Sequence, residues 1–177
     1  MGDPKHIRKK YSKPMKMWDA ERLEEEKPIV KEYGLKNKRE IWKARSLLKK
    51  FKIQAKRLTS LRTEQAALEK KQLLTKLHTL GLLQDSATLD DVLKLSLKDF
   101  LSRRLQTLLF KKALAHSVSQ ARQFIVHRHV MVDGQVVTSP AYLVPIASEP
   151  TIAFAENSSL AKPDHPKRVV KTVKVAP

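Results

Sequence analysis

Residues 117–137 read SVSQARQFIVHRHVMVDGQVV, and the order of signals along them decides the fold. Ser117 and Gln120 make a capping box: the hydroxyl can accept an N–H three residues on, and the Gln side chain can reach back. The helix they open carries Val118, Ala121, Phe124 and Ile125 on one face. Ser119, Gln120, Gln123 and His127 lie on the other, with Arg122 at the edge. Alternating apolar residues follow at once, Val130-Met-Val132 and Gln135-Val-Val137, joined by Asp133-Gly134. Asp-Gly between such runs predicts a two-residue hairpin, because its turn needs positive φ at both central residues.

The pattern extends in both directions. Downstream, Ser139-Pro140 ends the hairpin, and Tyr142-Leu-Val144 and Thr151-Ile-Ala-Phe154 read as two further short strands. Upstream, Ser96 and Asp99 resemble a capping box and predict a helix from Leu97 to Lys112. Leu101, Leu105 and Leu108 share one face of it, closed by Lys112. Arg103, Thr107 and Lys111 stand on the opposite face with Arg104 beside them, open to solvent or a ligand. Two crossing helices on a small twisted sheet form a compact module.

The chain before this module reads as helical. Ile41, Ala44, Leu48, Phe51 and Ala55 recur at spacings of three and four, which predicts a helix from Asn37 to about Leu58. At 100° per residue, Lys38, Arg45, Lys49, Lys52 and Lys56 flank that stripe, and Arg39, Lys43, Lys50 and Arg57 lie on the far side. A solvated helix would interleave acids with these cations, yet none follows Glu40. The one-signed face therefore reads as a phosphate footprint. A second helix is expected from Ser60 to Leu80, and a short one from Thr88 through Leu95. A third, opened by the acids after Asp19, should break near Pro28. Before it, residues 1–17 have little apolar periodicity and read as disordered in isolation.

Charge supports a polyanionic partner. The 177 residues carry a formal net charge of +18. Residues 1–60 hold 19 basic and 8 acidic side chains, net +11, whereas residues 61–100 hold 6 of each. Residues 101–160 hold 6 and 3, net +3, and residues 161–177 hold 5 and 1, net +4. Basic ends around a neutral middle look like arms laid on a polyanion. There is no cysteine, which excludes disulfides and the common structural zinc sites. The Met1 end lacks the apolar core of a secretory signal, and no apolar run nears the roughly 18 residues of a membrane span. The reading is a soluble intracellular protein with no membrane partner.

Several residue sets together resemble a known family. These are Arg103 through Thr107, Leu114 through Ser117, Gln120 through Gln123, Val126 through His129, and Val132 through Val137. Their ordered pattern resembles the RNA-binding module named after the fourth protein of the small ribosomal subunit. The resemblance implies that Arg103, Arg104, Ser117, Gln120, Arg122, Gln123 and His129 sit against RNA. Thr107, Lys111 and His127 share those polar faces. Many members have Gly between the two histidines; Arg128 here argues against a left-handed glycine cap and adds a cation where RNA would pass.

The stretch from Tyr33 to Arg45, with Lys9 through Tyr11 and on to Arg57, is similar to the helical region of that ribosomal protein family in its archaeal and eukaryotic branch. The fold expected is α+β: a basic extension over 1–36, a helical domain over 37–100, the module over 101–158 and a basic tail over 159–177. The resemblance implies a structural constituent of the cytoplasmic small subunit. Its expected partners are small-subunit rRNA and neighbouring ribosomal proteins. It also implies a place near the path by which messenger RNA enters, with an influence on decoding accuracy. An RNA-modifying enzyme's accessory subunit carrying the same module is the alternative.

No catalytic or cofactor chemistry is legible. The four glycines, Gly2, Gly34, Gly81 and Gly134, are too scattered for a phosphate-cradling loop. His127 and His129 invite a metal reading, but with only Asp133 near them they fall short of a ligand set. Trp18 and Trp42 could stack on bases, although Trp42 is expected to pack beside Ile41.

Overall fold

The computed structural model describes Lys9, residues 11–162 and His165; most of the basic arms expected at the two ends lies outside the described residues. Within them the architecture is α+β, with helices leading into one small antiparallel sheet.

The apolar stripe from Ile41 to Ala55 does make one long helix, α2 (Lys38–Ser60), with Asn37 as its N-cap. Its buried side meets α3 (Glu64–Thr79) and α4 (Leu89–Lys94) around Phe51, Leu58, Leu73, Leu77, Val92 and Phe100. α3 starts at Glu64 rather than Ser60. Leu61 is extended, which turns the chain back on α2, and Thr63 takes over as cap by accepting the Ala66 N–H at 3.2 Å. At the start of α4 the Asp91 carboxylate accepts the Thr88 N–H at 2.9 Å and its hydroxyl at 3.0 Å. The Thr88 N–H, then Lys94, hold that carboxyl down to about 2.

α1 (Ala20–Glu32) runs unbroken with Pro28 inside it, contrary to the expected break. An interior proline costs a helix about 3 kcal/mol. Burial beyond it offsets that cost: Ile29, Val30, Tyr33 and Leu35 pack with Ile41 and Leu101 in a core shared between both halves of the chain. Glu26 is fully buried here, held by Arg22 at 3.2 Å and Lys38 at 3.8 Å. The residues before α1 also touch α2. The Ser12 N–H donates to Ser46 Oγ at 3.0 Å, and the Tyr11 ring lies 6.5 Å from Trp42, which packs against the Ile41 cluster.

The helix expected from Leu97 to Lys112 is in fact two, α5 (Leu97–Ser102) and α6 (Leu105–Lys111). The Ser96–Asp99 capping box opens α5 as expected. No proline or glycine marks the break; Arg104 simply turns extended, at ψ 143°. Residues 140–144 take the freed backbone groups. The Leu105 N–H donates to the Tyr142 carbonyl at 2.8 Å, the Val144 N–H donates to the Arg103 carbonyl at 3.2 Å, and Leu143 bridges Arg104. Tyr142-Leu-Val144 is therefore a clasp on the helix break, not the strand expected of it.

The remainder of the module follows the reading. α7 (Val118–Val126) starts at Ser117, whose hydroxyl accepts the Gln120 N–H at 3.1 Å; Gln120 Oε1 reaches back to the His116 N–H at 2.7 Å. β1 (Val130–Val132), β2 (Gln135–Val136) and β3 (Ala153–Phe154) form an antiparallel sheet in the order β2-β1-β3. Val132 pairs with Gln135 across Asp133 and Gly134, whose φ values are +50° and +76°. Leu105, Leu109, Phe124, Ile125, Val130, Val144 and Phe154 build the core. Leu160 joins it at 3% exposure, so the segment just after 158 is packed structure rather than tail.

Candidate nucleic-acid interface

The outer face of α2 is where positive charge accumulates. Arg39, Lys43, Arg45, Lys49, Lys50, Lys56 and Arg57 are all exposed. Among the described residues, no ion pair neutralises any of them. Lys38 and Lys52 are half-buried, Lys38 leaning toward Glu26 at 3.8 Å. Unpaired cations on a helix about 34 Å long, at 1.5 Å per residue, can track a phosphate backbone and release its counterions.

A second polar surface lies over α7 and its C-terminus. Lys111, Ser117, Gln123, His127 and Arg128 are exposed, and Gln120 and His129 are half-buried. The His129 Nδ1 lies 2.8 Å from Ser158 Oγ and its ring meets Phe124 edge-on, so this imidazole is fixed in place. Arg128 adopts φ +65°, the left-handed cap conformation that its side chain argues against. The His129 N–H reaches back to the Phe124 carbonyl at 3.0 Å and the Arg128 N–H to Ile125 at 3.1 Å, closing the helix as a glycine cap would. An arginine held there costs about 1–2 kcal/mol, and its side chain is exposed at the helix end.

Four of the expected site residues are not on these surfaces. Because the helix breaks at Arg103-Arg104, the face predicted to be open is folded inward. Arg104 is 4% exposed and Thr107 7% exposed, and the Thr107 hydroxyl donates to the Leu101 carbonyl at 2.9 Å. Arg103 donates to Leu80 O at 3.0 Å, to Glu149 at 2.8 Å and to Val144 O at 3.2 Å. A Cβ on Gly81 would lie 2.9 Å from that guanidinium, so the left-handed Gly81 also makes room for it. Lys112 is drawn to the Glu149 carbonyl in the same corner.

Arg122 and Arg104 converge on Glu40, at 2.7 Å and 2.5 Å. Burial alone would raise the Glu40 carboxyl, but hydrogen bonds from Arg122 and Arg104, with the attraction of both charges, outweigh it and hold the group below its ordinary value. Gln106 completes the joint, donating to Gly34 O at 3.1 Å and Val118 O at 2.9 Å. Sequence reading missed Glu40, Gln106 and Glu26 as structural groups. The signal was present: Glu40 is a lone acid on a basic helix, and Gln106 sits inside a leucine-rich run. Beside the joint, a groove of about 400 Å³ is lined by Arg39, Lys43 and Leu47 of α2 together with Arg122, Pro140 and Leu143.

Two kinds of similarity bear on this geometry. Residues 103–149 match the S4 domain. The chain is 46% identical over 169 residues to small ribosomal subunit protein uS4 of Methanococcus aeolicus, covering 95% of this chain and 96% of that one. It is 44% identical to uS4 of Methanococcus maripaludis, covering 97% of each. To uS4 of Nanoarchaeum equitans it is 48% identical, covering 91% of each.

Proposed function

The chain belongs to the uS4 family of small ribosomal subunit proteins, and from that premise we propose that it is a structural, non-catalytic constituent of the cytoplasmic small subunit. It binds small-subunit rRNA and neighbouring ribosomal proteins and organises the RNA during assembly. The observation that carries this reading is the α2 face, where exposed cations stand without counter-charges of their own. The relatives that align along almost the whole chain are themselves small ribosomal subunit proteins, which supports the same reading.

In this reading Lys38, Arg39, Arg45, Lys49 and Arg57 contact phosphates from the helical region over 37–100. Lys111, Ser117, Gln120, Gln123, His127, Arg128 and His129 contact RNA from the module over 101–158. Arg103, Arg104, Thr107 and Arg122 act behind them, holding the two regions in one geometry. Residues 1–36 and 159–177, partly packed on the core, add further cations. A place near the path of incoming messenger RNA belongs to the same proposal, since a surface that tracks one RNA backbone can flank another. The test is sedimentation with small subunits through high-salt gradients, paired with titration of free rRNA. Co-sedimentation and tight, salt-sensitive binding are expected; a protein that leaves the subunit and ignores rRNA would overturn the reading.

A further inference from the structure

Trp18 is 90% exposed, Met15 is fully exposed and Met17 is 44% exposed, all on the turn that leads into α1. An indole left in water forgoes the burial that aromatic side chains ordinarily gain. A flexible tail could explain such exposure, but this turn is pinned. The Arg22 guanidinium donates to the carbonyls of Lys16 at 2.9 Å and Met17 at 2.8 Å, and to Glu26 at 3.2 Å. Glu26 is itself fully buried, so the turn is fastened to the core through one charged relay. A rigid, outward-facing aromatic loses little entropy when a partner covers it.

The surroundings select the partner. Lys13 and Lys16 are exposed on the same segment, and Lys9 precedes it. Asp19 and Glu21 follow the indole, so the cations lie on its N-terminal side. A planar π-face with exposed ammonium groups on the same segment suits an unpaired base and its adjacent phosphates. Resting on the RNA-binding reading above, we propose that Trp18 is a stacking platform for one unpaired base of the small-subunit rRNA, with Lys13 and Lys16 gripping the adjacent phosphates.

The test titrates full-length protein with a small-subunit rRNA transcript at several salt concentrations. It compares wild type with Trp18→Ala, Trp18→Phe and Lys16→Ala, and each is first melted to check folding. Loss of a stacked base should weaken Trp18→Ala about tenfold to a hundredfold, by the same factor at every salt concentration. Trp18→Phe should retain most of the affinity, and Lys16→Ala should reduce the salt slope by roughly one. Only Trp18 and Trp42 contribute indole emission, so RNA should quench the wild-type signal and leave that of Trp18→Phe unchanged. Trp18→Ala binding free rRNA like wild type would overturn the proposal. If that variant were also poorly retained in assembled subunits, the partner would be a protein; if it melted early, the indole packs on its own chain. Wild type that fails to bind rRNA at all would defeat the broader RNA-binding reading as well, which separates the two failures.

Discussion

The Arg122 guanidinium donates to the Glu40 carboxylate at 2.7 Å across 82 residues of chain. Arg104 reaches the same carboxylate from the break between α5 and α6. One acid on α2 therefore fixes where the module sits relative to the basic helix.

Removing that acid should be felt as stability, not only as affinity. Glu40→Gln leaves a buried Arg104 without its counter-charge, and breaking such a pair costs about 3 kcal/mol or more. A urea melt should show the loss directly. By the same logic, replacing Arg103, Arg104 and Arg122 together by Ala should unfold the chain in part. Were all three surface residues, changes within about 0.5 kcal/mol would be expected.

The acid limb of stability follows from the direction of the Glu40 shift. Its folded-state value lies below the unfolded one, so its contribution is present above the unfolded value and fades as pH falls through the folded one. Asp91 and Asp133, also lowered, add the same sign. Unfolding free energies measured from pH 7 downward to 3 should therefore fall more steeply for wild type than for Glu40→Gln. Parallel curves would mean that Glu40 does not supply the acid sensitivity.

Arg128→Gly should raise stability while lowering RNA affinity. Left-handed backbone costs a non-glycine residue about 1–2 kcal/mol. Glycine gives back roughly 0.5–1 kcal/mol of that through its unfolded-state entropy. The net gain is about 0.5–1 kcal/mol, readable as a raised melting point. Weaker rRNA binding in the same variant would mark the strained arginine as retained for contact.

Gly134→Val should destabilise by roughly 1–2 kcal/mol. Nothing lies within 4 Å of the position its Cβ would take, so the whole effect is backbone strain at φ +76°. Gly134→Asn, which tolerates this conformation better, should recover part of the loss in the same thermal melt.

Salt should act through α2. With roughly six to ten phosphates neutralised, affinity for rRNA falls about 10³–10⁵-fold between 50 and 200 mM salt. Replacing Arg45, Lys49 and Arg57 by Ala should reduce the slope by roughly one for each cation and leave melting unchanged, since all three are exposed.

Much of this structure was legible locally. The α2 stripe, the Ser96 and Ser117 caps and the Asp133-Gly134 hairpin are each set by neighbours in sequence, and each formed as read. What escaped was decided at long range. Pro28 stays helical because Tyr33 and Leu35 find Ile41 and Leu101. The Leu97–Lys112 periodicity is real, yet residues 140–144 offer the backbone a better set of partners at Arg103-Arg104. That single break turned Arg103, Arg104 and Thr107 from an outer face into an inner one. The exposed cations of α2 were readable because a one-signed helix face needs no tertiary knowledge to interpret.

The clasp at the α5–α6 break has a consequence for synthesis. Arg103 makes its contact with Val144 41 residues later in the chain, so a growing polypeptide has nothing to hold the bend when its helix first leaves the ribosome. At about 5–20 residues per second, that interval is roughly two to eight seconds. Until it ends, the backbone groups freed at Arg103 and Arg104 lack the partners that residues 140–144 supply in the folded protein. Arg122 and Glu40, by contrast, are both present some twenty residues sooner.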